Sequence, residues 1–182
     1  MTIEQTNIQD LVVMNPSVFN DDRGFFFESY NQQKFHDHGI NYNFIQDNQS
    51  FSKRGVIRGL HLQVPPFAQA KLVRVLQGEI LDVAVDLRKN SATYGQHFSI
   101  VLSAKNKKQL MVPHGFAHGF SVLSETALVL YKVDQVYHKE SERGIRYDDP
   151  TLNIDWQVNL SEVIVSEKDL ILPGFAGIDW EF

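Results

Sequence analysis

The sequence predicts an all-β fold, an antiparallel sandwich, jelly roll or barrel with a few short peripheral helices. Three observations carry this prediction. Short β-rich runs separated by turn residues dominate from about Gln46 to Tyr137. Within them, Ile80–Leu87 alternates strictly, which puts Leu81, Val83, Val85 and Leu87 on one face of a strand. Helical signals are confined to Asn31–His38, stopped by Gly39, and to the segment after Ser161.

The elements follow in order. Gly78-Glu79 is a turn signal before the alternating run and Lys89-Asn90-Ser91 is another after it. Phe98–Leu102, Gln109–Val112, Gly119–Leu123 and Ala127–Tyr137 read as further strands. A strand over Ala127–Tyr137 places Ala127, Val129, Tyr131, Val133 and Tyr137 on one face. By periodicity alone, its two tyrosines are large core residues with their hydroxyls at a wet end.

The chain has 182 residues, of which 43% are hydrophobic and 21% charged, and it shows no linker, repeat or low-complexity tract. This is the composition of one globular domain spanning 1–182. No apolar run approaches the roughly 20 residues of a membrane span, and Met1–Asp10 lacks the pattern of a signal peptide. With no cysteine there is no disulfide, thiol nucleophile or thiolate metal site. A net charge of −5 and a pI near 5.8 argue against non-specific nucleic-acid binding. The expectation is a cytoplasmic protein with neither nucleic acid nor membrane as partner.

Polar residues that could carry chemistry concentrate in a few places: Arg23 with Glu28, Gln46-Asp47-Asn48, Arg58 with His61 and Gln63, Lys71, His118, and Lys168-Asp169. Taken singly, each is an ordinary turn, core or surface residue. Together, Gly59-Leu60-His61-Leu62-Gln63 followed by Lys71 and Gly78 resembles the first cupin motif, and Pro113-His114-Gly115-Phe116-Ala117-His118 resembles the second. Cupins are jelly-roll barrels, in agreement with the strand pattern. Gln63 replaces the second histidine of the metal-binding pattern and Lys71 its glutamate. An ammonium has no lone pair and repels a cation. Of the four ligand positions only His61 and His118 keep the expected type, too few for a metal site of the usual kind. The expectation is a metal-free barrel with no cofactor. A histidine base beside a fixed cation, with a phenol nearby, suits removal of a proton next to a carbonyl.

A closer resemblance covers the chain from about residue 3 to its C-terminus. Asp22-Arg23-Gly24-Phe25-Phe26 with Glu28, Gln46-Asp47-Asn48 and Arg58-Gly59-Leu60-His61 resemble the dTDP-4-dehydrorhamnose 3,5-epimerase family. So do Gln69–Val75, Gly115-Phe116-Ala117-His118-Gly119-Phe120, Leu130-Tyr131-Lys132 and Lys168-Asp169. The resemblance implies that His61 is the base for both C3 and C5 and that Asp169 orients it. It implies that Tyr131 is the acid on the opposite face, and that Lys71, helped by His118, stabilises the enolate. Arg23, Glu28, Gln46, Asp47 and Asn48 are then nucleotide contacts, and Arg58 and Lys168 diphosphate or nucleotide contacts. Phe26 and Tyr137 are candidates for packing on base or sugar, and Glu142 is a further binding candidate. The implied ligand is a dTDP-linked 4-keto-6-deoxyhexose. The implied assembly is a homodimer in which residues near Arg23 and Glu28 reach the neighbouring site.

His114 departs from the residue expected at its position and is read as a tolerated substitution at the barrel mouth. Two other readings stay open at this stage. One is an epimerase that inverts a single carbon of a related 4-keto-deoxysugar nucleotide. The other is a non-catalytic sugar-nucleotide-binding cupin, against which the retention of His61, Lys71, Tyr131 and Asp169 weighs.

Overall fold

The structure is a computed structural model and describes residues 1–178, 180 and 182. Its strands are β1 (Thr2–Gln5), β2 (Val12–Asn15), β3 (Phe19–Asp21), β4 (Gly24–Phe26), β5 (Gln46–Lys53), β6 (Ile57–Gln63), β7 (Lys71–Gln77), β8 (Glu79–Asp86), β9 (His97–Ser103), β10 (Gln109–Val112), β11 (Phe116–Val122), β12 (Thr126–Val133) and β13 (Glu142–Gly144). The helices are α1 (Gln32–Asp37) and α2 (Glu167–Leu170), with 3-10 turns at Lys139–Ser141 and Phe175–Gly177.

Six strands form one sheet in the order β1-β2-β10-β7-β12-β5, and five form a second in the order β13-β6-β11-β8-β9. Every pairing within them is antiparallel. This is the cupin-like jelly roll that the motif resemblance implied, one of the all-β architectures open to the strand pattern. The core between the sheets takes Val73, Leu110 and Val129 from the first and Ile80, Phe116 and Phe120 from the second. Burying side chains of this size contributes roughly 1.5–3 kcal/mol each.

Both sheets are also covered on parts of their outer faces. Leu81, Val83, Val85 and Leu87 pack together, as their alternation requires, under Ile145, Leu152 and Trp156 of the C-terminal segment. The opposite face of β8 is equally dry: Ile80 and Ala84 enter the inter-sheet core, and Asp82 is wholly buried. On the other sheet, α1 lays Phe35 over Met14, Leu72 and Met111. Asn31 caps this helix by accepting from the Lys34 amide at 3.2 Å, and Gly39 follows it at φ +81°.

Three expectations need correction. The run Ala127–Tyr137 does not continue as one strand, because β12 ends at Val133. Asp134 turns its carboxylate onto the Ala70 amide at 2.7 Å, which draws the chain out of the ladder. Tyr137 therefore does not share the face of Tyr131 by strand alternation, and it lies on a loop with 58% of its surface exposed. The strand expected over Gly119–Leu123 begins earlier, at Phe116, and ends at Val122. Finally, β1–β4 precede the β-rich region read from the sequence, and β2 is carried by the apolar run Val12-Val13-Met14. No described helix is long and apolar enough to cross a membrane.

Candidate active site

Strands β6 and β11 set the site. His61 and His118 are direct register partners across this pair, and the register shifts between His118 and Phe120. The shift rests on two glycines. A Cβ on Gly59, at φ +117°, would lie 2.5 Å from Gly119 Cα, and a Cβ on Gly119 would lie 2.6 Å from the Arg58 carbonyl oxygen. Both distances are far inside van der Waals contact, so the two backbones approach this closely only without side chains. The glycines of Arg58-Gly59-Leu60-His61 and His118-Gly119-Phe120 thus hold the two histidines side by side.

His61 is joined to a residue 108 positions away: its Nε2 donates to Asp169 Oδ1 at 2.6 Å. A carboxylate only accepts, so Nε2 carries the proton and Nδ1 is left with the lone pair. Asp169 sits in α2, its own amide donating to the capping Ser166 Oγ at 3.2 Å, while the Gly59 amide donates to Oδ2 at 3.4 Å. Burial pushes the Asp169 carboxyl up. The hydrogen bond and charge of His61, with the Gly59 amide and Ser166 hydroxyl, outweigh burial and hold it below its ordinary value. Asp169 stays ionised and fixes the ring.

His118 forms a second pair, donating from Nε2 to Asp82 Oδ1 at 2.8 Å. Asp82 is 0% exposed, and its Oδ2 has no hydrogen-bond partner among the described residues. A buried carboxylate oxygen left unpaired costs on the order of 1–3 kcal/mol or more. Asp82 escaped the sequence reading, although the alternation of β8 placed this acid inward with Ile80 and Ala84.

Across the barrel, the six-stranded sheet supplies Lys71 on β7 and Tyr131 on β12. Lys71 is 9% exposed and donates from Nζ to the His61 carbonyl at 3.2 Å. Burial lowers its ammonium to about 8, although the charges of Asp82 and Glu142 pull upward. Burial raises the Tyr131 phenol, and the charge of Arg58 only partly offsets this, so the hydroxyl keeps its proton at neutral pH.

These side chains meet in a cavity with two lobes that share His61, Lys71 and Tyr131. The larger, about 510 Å³, is walled by Val56, Ile57, Phe120, Ile164 and Val165, and carries Arg58, Lys168, His118 and Asp169. The smaller, about 300 Å³, is polar, with Gln46, Asn48, Gln69, Tyr137 and Glu142. Arg58 is steadied by donating to Ser52 Oγ at 3.0 Å, and Lys168 bridges the lobes by pairing with Glu142 Oε1 at 2.5 Å. Glu142 also accepts from the Tyr137 hydroxyl at 2.8 Å, and Gln46 donates to Asn48 at 2.8 Å.

Not every residue singled out in the sequence lines this cavity. Asp47 falls between Gln46 and Asn48, so the strand turns it to the opposite face, where it pairs with Lys132 at 2.8 Å. Arg23 pairs with Asp21 and Glu28 with Lys34, both in the open, and Phe26 is 71% exposed. None of these three reaches the cavity of its own chain. His114 Nε2 donates to Asp134 Oδ2 at 2.8 Å, and its ring stands edge-on to Tyr42. No three His, Asp or Glu side chains among the described residues converge as a metal site. Gln63 and Lys71, at two of the cupin ligand positions, turn to backbone carbonyls instead.

The centre of this barrel can take a proton, give one and steady a developing negative charge, the chemistry of an acid–base enzyme on a cupin-like fold. Comparison with known proteins gives the class a family. The family model described as dTDP-4-dehydrorhamnose 3,5-epimerase matches residues 5–177. An enzyme of that description from Shigella flexneri is 48% identical over 181 residues, covering 99% of each chain. A crystal structure of one from Elizabethkingia anophelis superimposes with a TM-score of 0.95 at 50% identity, covering 99% of both chains. The Legionella pneumophila enzyme, crystallised with dTDP-4-keto-L-rhamnose, gives 0.93 at 46% identity, covering 98% of this chain and 94% of that one. The chain belongs to the dTDP-4-dehydrorhamnose 3,5-epimerase family.

Proposed function

We propose that this protein inverts C3 and C5 of dTDP-4-dehydro-6-deoxy-D-glucose to give dTDP-4-dehydro-L-rhamnose, acting in the cytoplasm on the nucleotide-linked sugar. The observation that carries this reading is the placement of His61 and Tyr131 on opposite sheets of one cavity that Lys71 also lines. Inversion needs a base on one face of a carbon and an acid on the other. The C4 ketone acidifies the protons on both neighbours. His61 Nδ1 takes the proton, the electron pair moves onto the C4 oxygen as an enolate, and Lys71 stabilises that oxyanion, with His118 assisting. Tyr131 returns a proton from the opposite face, and the ketone re-forms. One base and one acid serve both carbons in turn, with His61 releasing its proton to solvent and Tyr131 regaining one between the two inversions. No electron is gained or lost overall, so the reaction calls for no redox cofactor.

Arg58 and Lys168 supply the positive charge a diphosphate needs within a protein whose net charge is −5. The apolar wall of the larger lobe suits a deoxysugar, and Gln46 and Asn48 in the smaller lobe suit a base edge.

The experiment is incubation with dTDP-4-keto-6-deoxyglucose in heavy water, with C3 and C5 followed by NMR and mass spectrometry. Deuterium at both carbons is the expected result. Label at one carbon makes the protein a single-site epimerase, and label at neither overturns the enzymatic reading.

The proposal extends to a homodimer in which each subunit completes its neighbour's site with Arg23, Phe26 and Glu28. Phe19, Phe25 and Phe26 on the β3–β4 hairpin are 65%, 59% and 71% exposed, an apolar surface with the cation of Arg23 at its turn. Sedimentation is expected to give twice the chain mass. A monomer that retains full dTDP affinity would remove this part of the proposal.

A further inference from the structure

Gln63 stands where the resemblance to the first cupin motif would place a second histidine, and the fold gives its side chain different work. It is 4% exposed, and its amide is fully engaged with backbone. Nε2 donates to the Phe67 carbonyl at 2.7 Å and to the Val136 carbonyl at 3.1 Å, while Oε1 accepts from the His138 amide at 2.7 Å. One rigid group thereby ties together two loops that are far apart in sequence, 64–70 and 134–138. Other contacts lace the same seam: Gln69 Nε2 donates to the Gln135 carbonyl at 2.6 Å, and the Phe67 and His138 rings stack at 3.9 Å and 7°.

The bonds from Gln63 bracket one residue. Val136 and His138 flank Tyr137, an aromatic that lines the polar lobe and not the larger one. Tyr137 itself is held by a single side-chain bond to Glu142, a carboxylate it shares with Lys168. Its ring is largely exposed, so packing does not place it. The backbone on either side does, and Gln63 fixes that backbone. Glu142 is the direct register partner of Gln63 across β13 and β6, so the carboxylate that receives the Tyr137 hydroxyl stands beside the clamp, held there by the backbone ladder.

We propose that Gln63 is a positioning residue for nucleotide binding. It clamps loop 134–138 onto loop 64–70, so that Tyr137 and Glu142 form a fixed wall of the polar lobe, and it sets the affinity for the dTDP portion while leaving proton transfer alone. The inference rests on the proposed function, and its test therefore reads nucleotide binding apart from chemistry.

The variant is Gln63→Leu, similar in size and without polar atoms. The Kd of dTDP, measured by calorimetry, and the KM of the sugar nucleotide are each expected to rise about tenfold, with kcat changed by less than about threefold. In the double variant with Tyr137→Ala, binding is expected to be no weaker than in Tyr137→Ala alone, because the clamp acts through that residue. A general loss of packing would instead add to the effect of Tyr137→Ala and lower kcat as well. Should Gln63→Leu fail to fold, Phe67→Ala weakens the same seam from its ring stack and is expected to raise the Kd about threefold, again only while Tyr137 is present. Unchanged dTDP affinity in a folded variant overturns the clamp alone if the parent protein binds dTDP and exchanges both protons. A parent that does not bind dTDP overturns the clamp together with the reading of the site.

Discussion

Replacing His61 with glutamine is expected to slow deuterium uptake at both carbons by about 10²–10⁴-fold, the usual contribution of a positioned general base. Glutamine is the informative choice because its Nε2 occupies the place of the histidine Nε2 and can still donate to Asp169. His61→Ala would leave a carboxylate that is 3% exposed without its partner at 2.6 Å, and destabilisation would then confuse the reading. The two carbons are expected to fall together, since in the proposed mechanism a single Nδ1 serves both. Loss at one carbon only, with the other unaffected, would require a second base, and His118 with its Asp82 partner would be the group to examine. A folded His61→Gln protein that exchanged at the parent rate would overturn the assignment.

Lys71→Met is expected to lower kcat by about 10²–10³-fold, the typical effect of removing one oxyanion donor, with a smaller change in dTDP affinity. Methionine fills most of the stem volume, so the loss reports charge. The same side chain predicts a pH dependence. Burial brings the Lys71 ammonium down to about 8, so activity should fall as pH rises through about 8 and the cation is lost. Stability should move the other way. In the unfolded chain the lysine keeps its proton to about 10.4, so between about 8 and 10.4 the unfolded state binds more protons, and this group's contribution to stability rises with pH. Lys71→Arg cannot deprotonate in this range and should lose the alkaline limb of kcat whatever its absolute rate. A limb near 8 that survives in Lys71→Arg would assign it to another group.

The parts of the molecule legible in the sequence are those governed by local rules. Period-two alternation in Ile80–Leu87 specified a strand and its covered face, because successive side chains in a strand must point to opposite sides. Gly39 marked the end of a short helix over Asn31–His38, and the structure places α1 there with Asn31 as its cap, both being local signals. Strand alternation failed beyond Val133, where the Asp134 carboxylate captures the Ala70 amide across the fold, a contact no window of sequence contains.

The chemistry divides in the same way. The residue types and the order of the blocks around His61, Lys71, Tyr131 and Asp169 are enough, by resemblance, to indicate a family. Which nitrogen of His61 is free, by contrast, depends on a carboxylate 108 residues away, and which faces share a cavity depends on how two sheets close. Asp47 shows the limit from the other side: its neighbours line the polar lobe, while its own side chain turns outward to Lys132.

The sequence by itself determined the all-β class, the alternating faces, and the exchange of metal-binding side chains for an amide and an ammonium at two cupin positions. Tertiary structure decided the closeness of Gly59 and Gly119 that sets the two histidines side by side, the burial that lowers Lys71, and the second carboxylate at Asp82. It also decided the clasp of Gln63 on two distant loops. The physical reason is common to all four. Alternation and capping are settled by a residue's immediate neighbours, whereas desolvation, close backbone approach and long-range hydrogen bonds exist only once remote segments have packed.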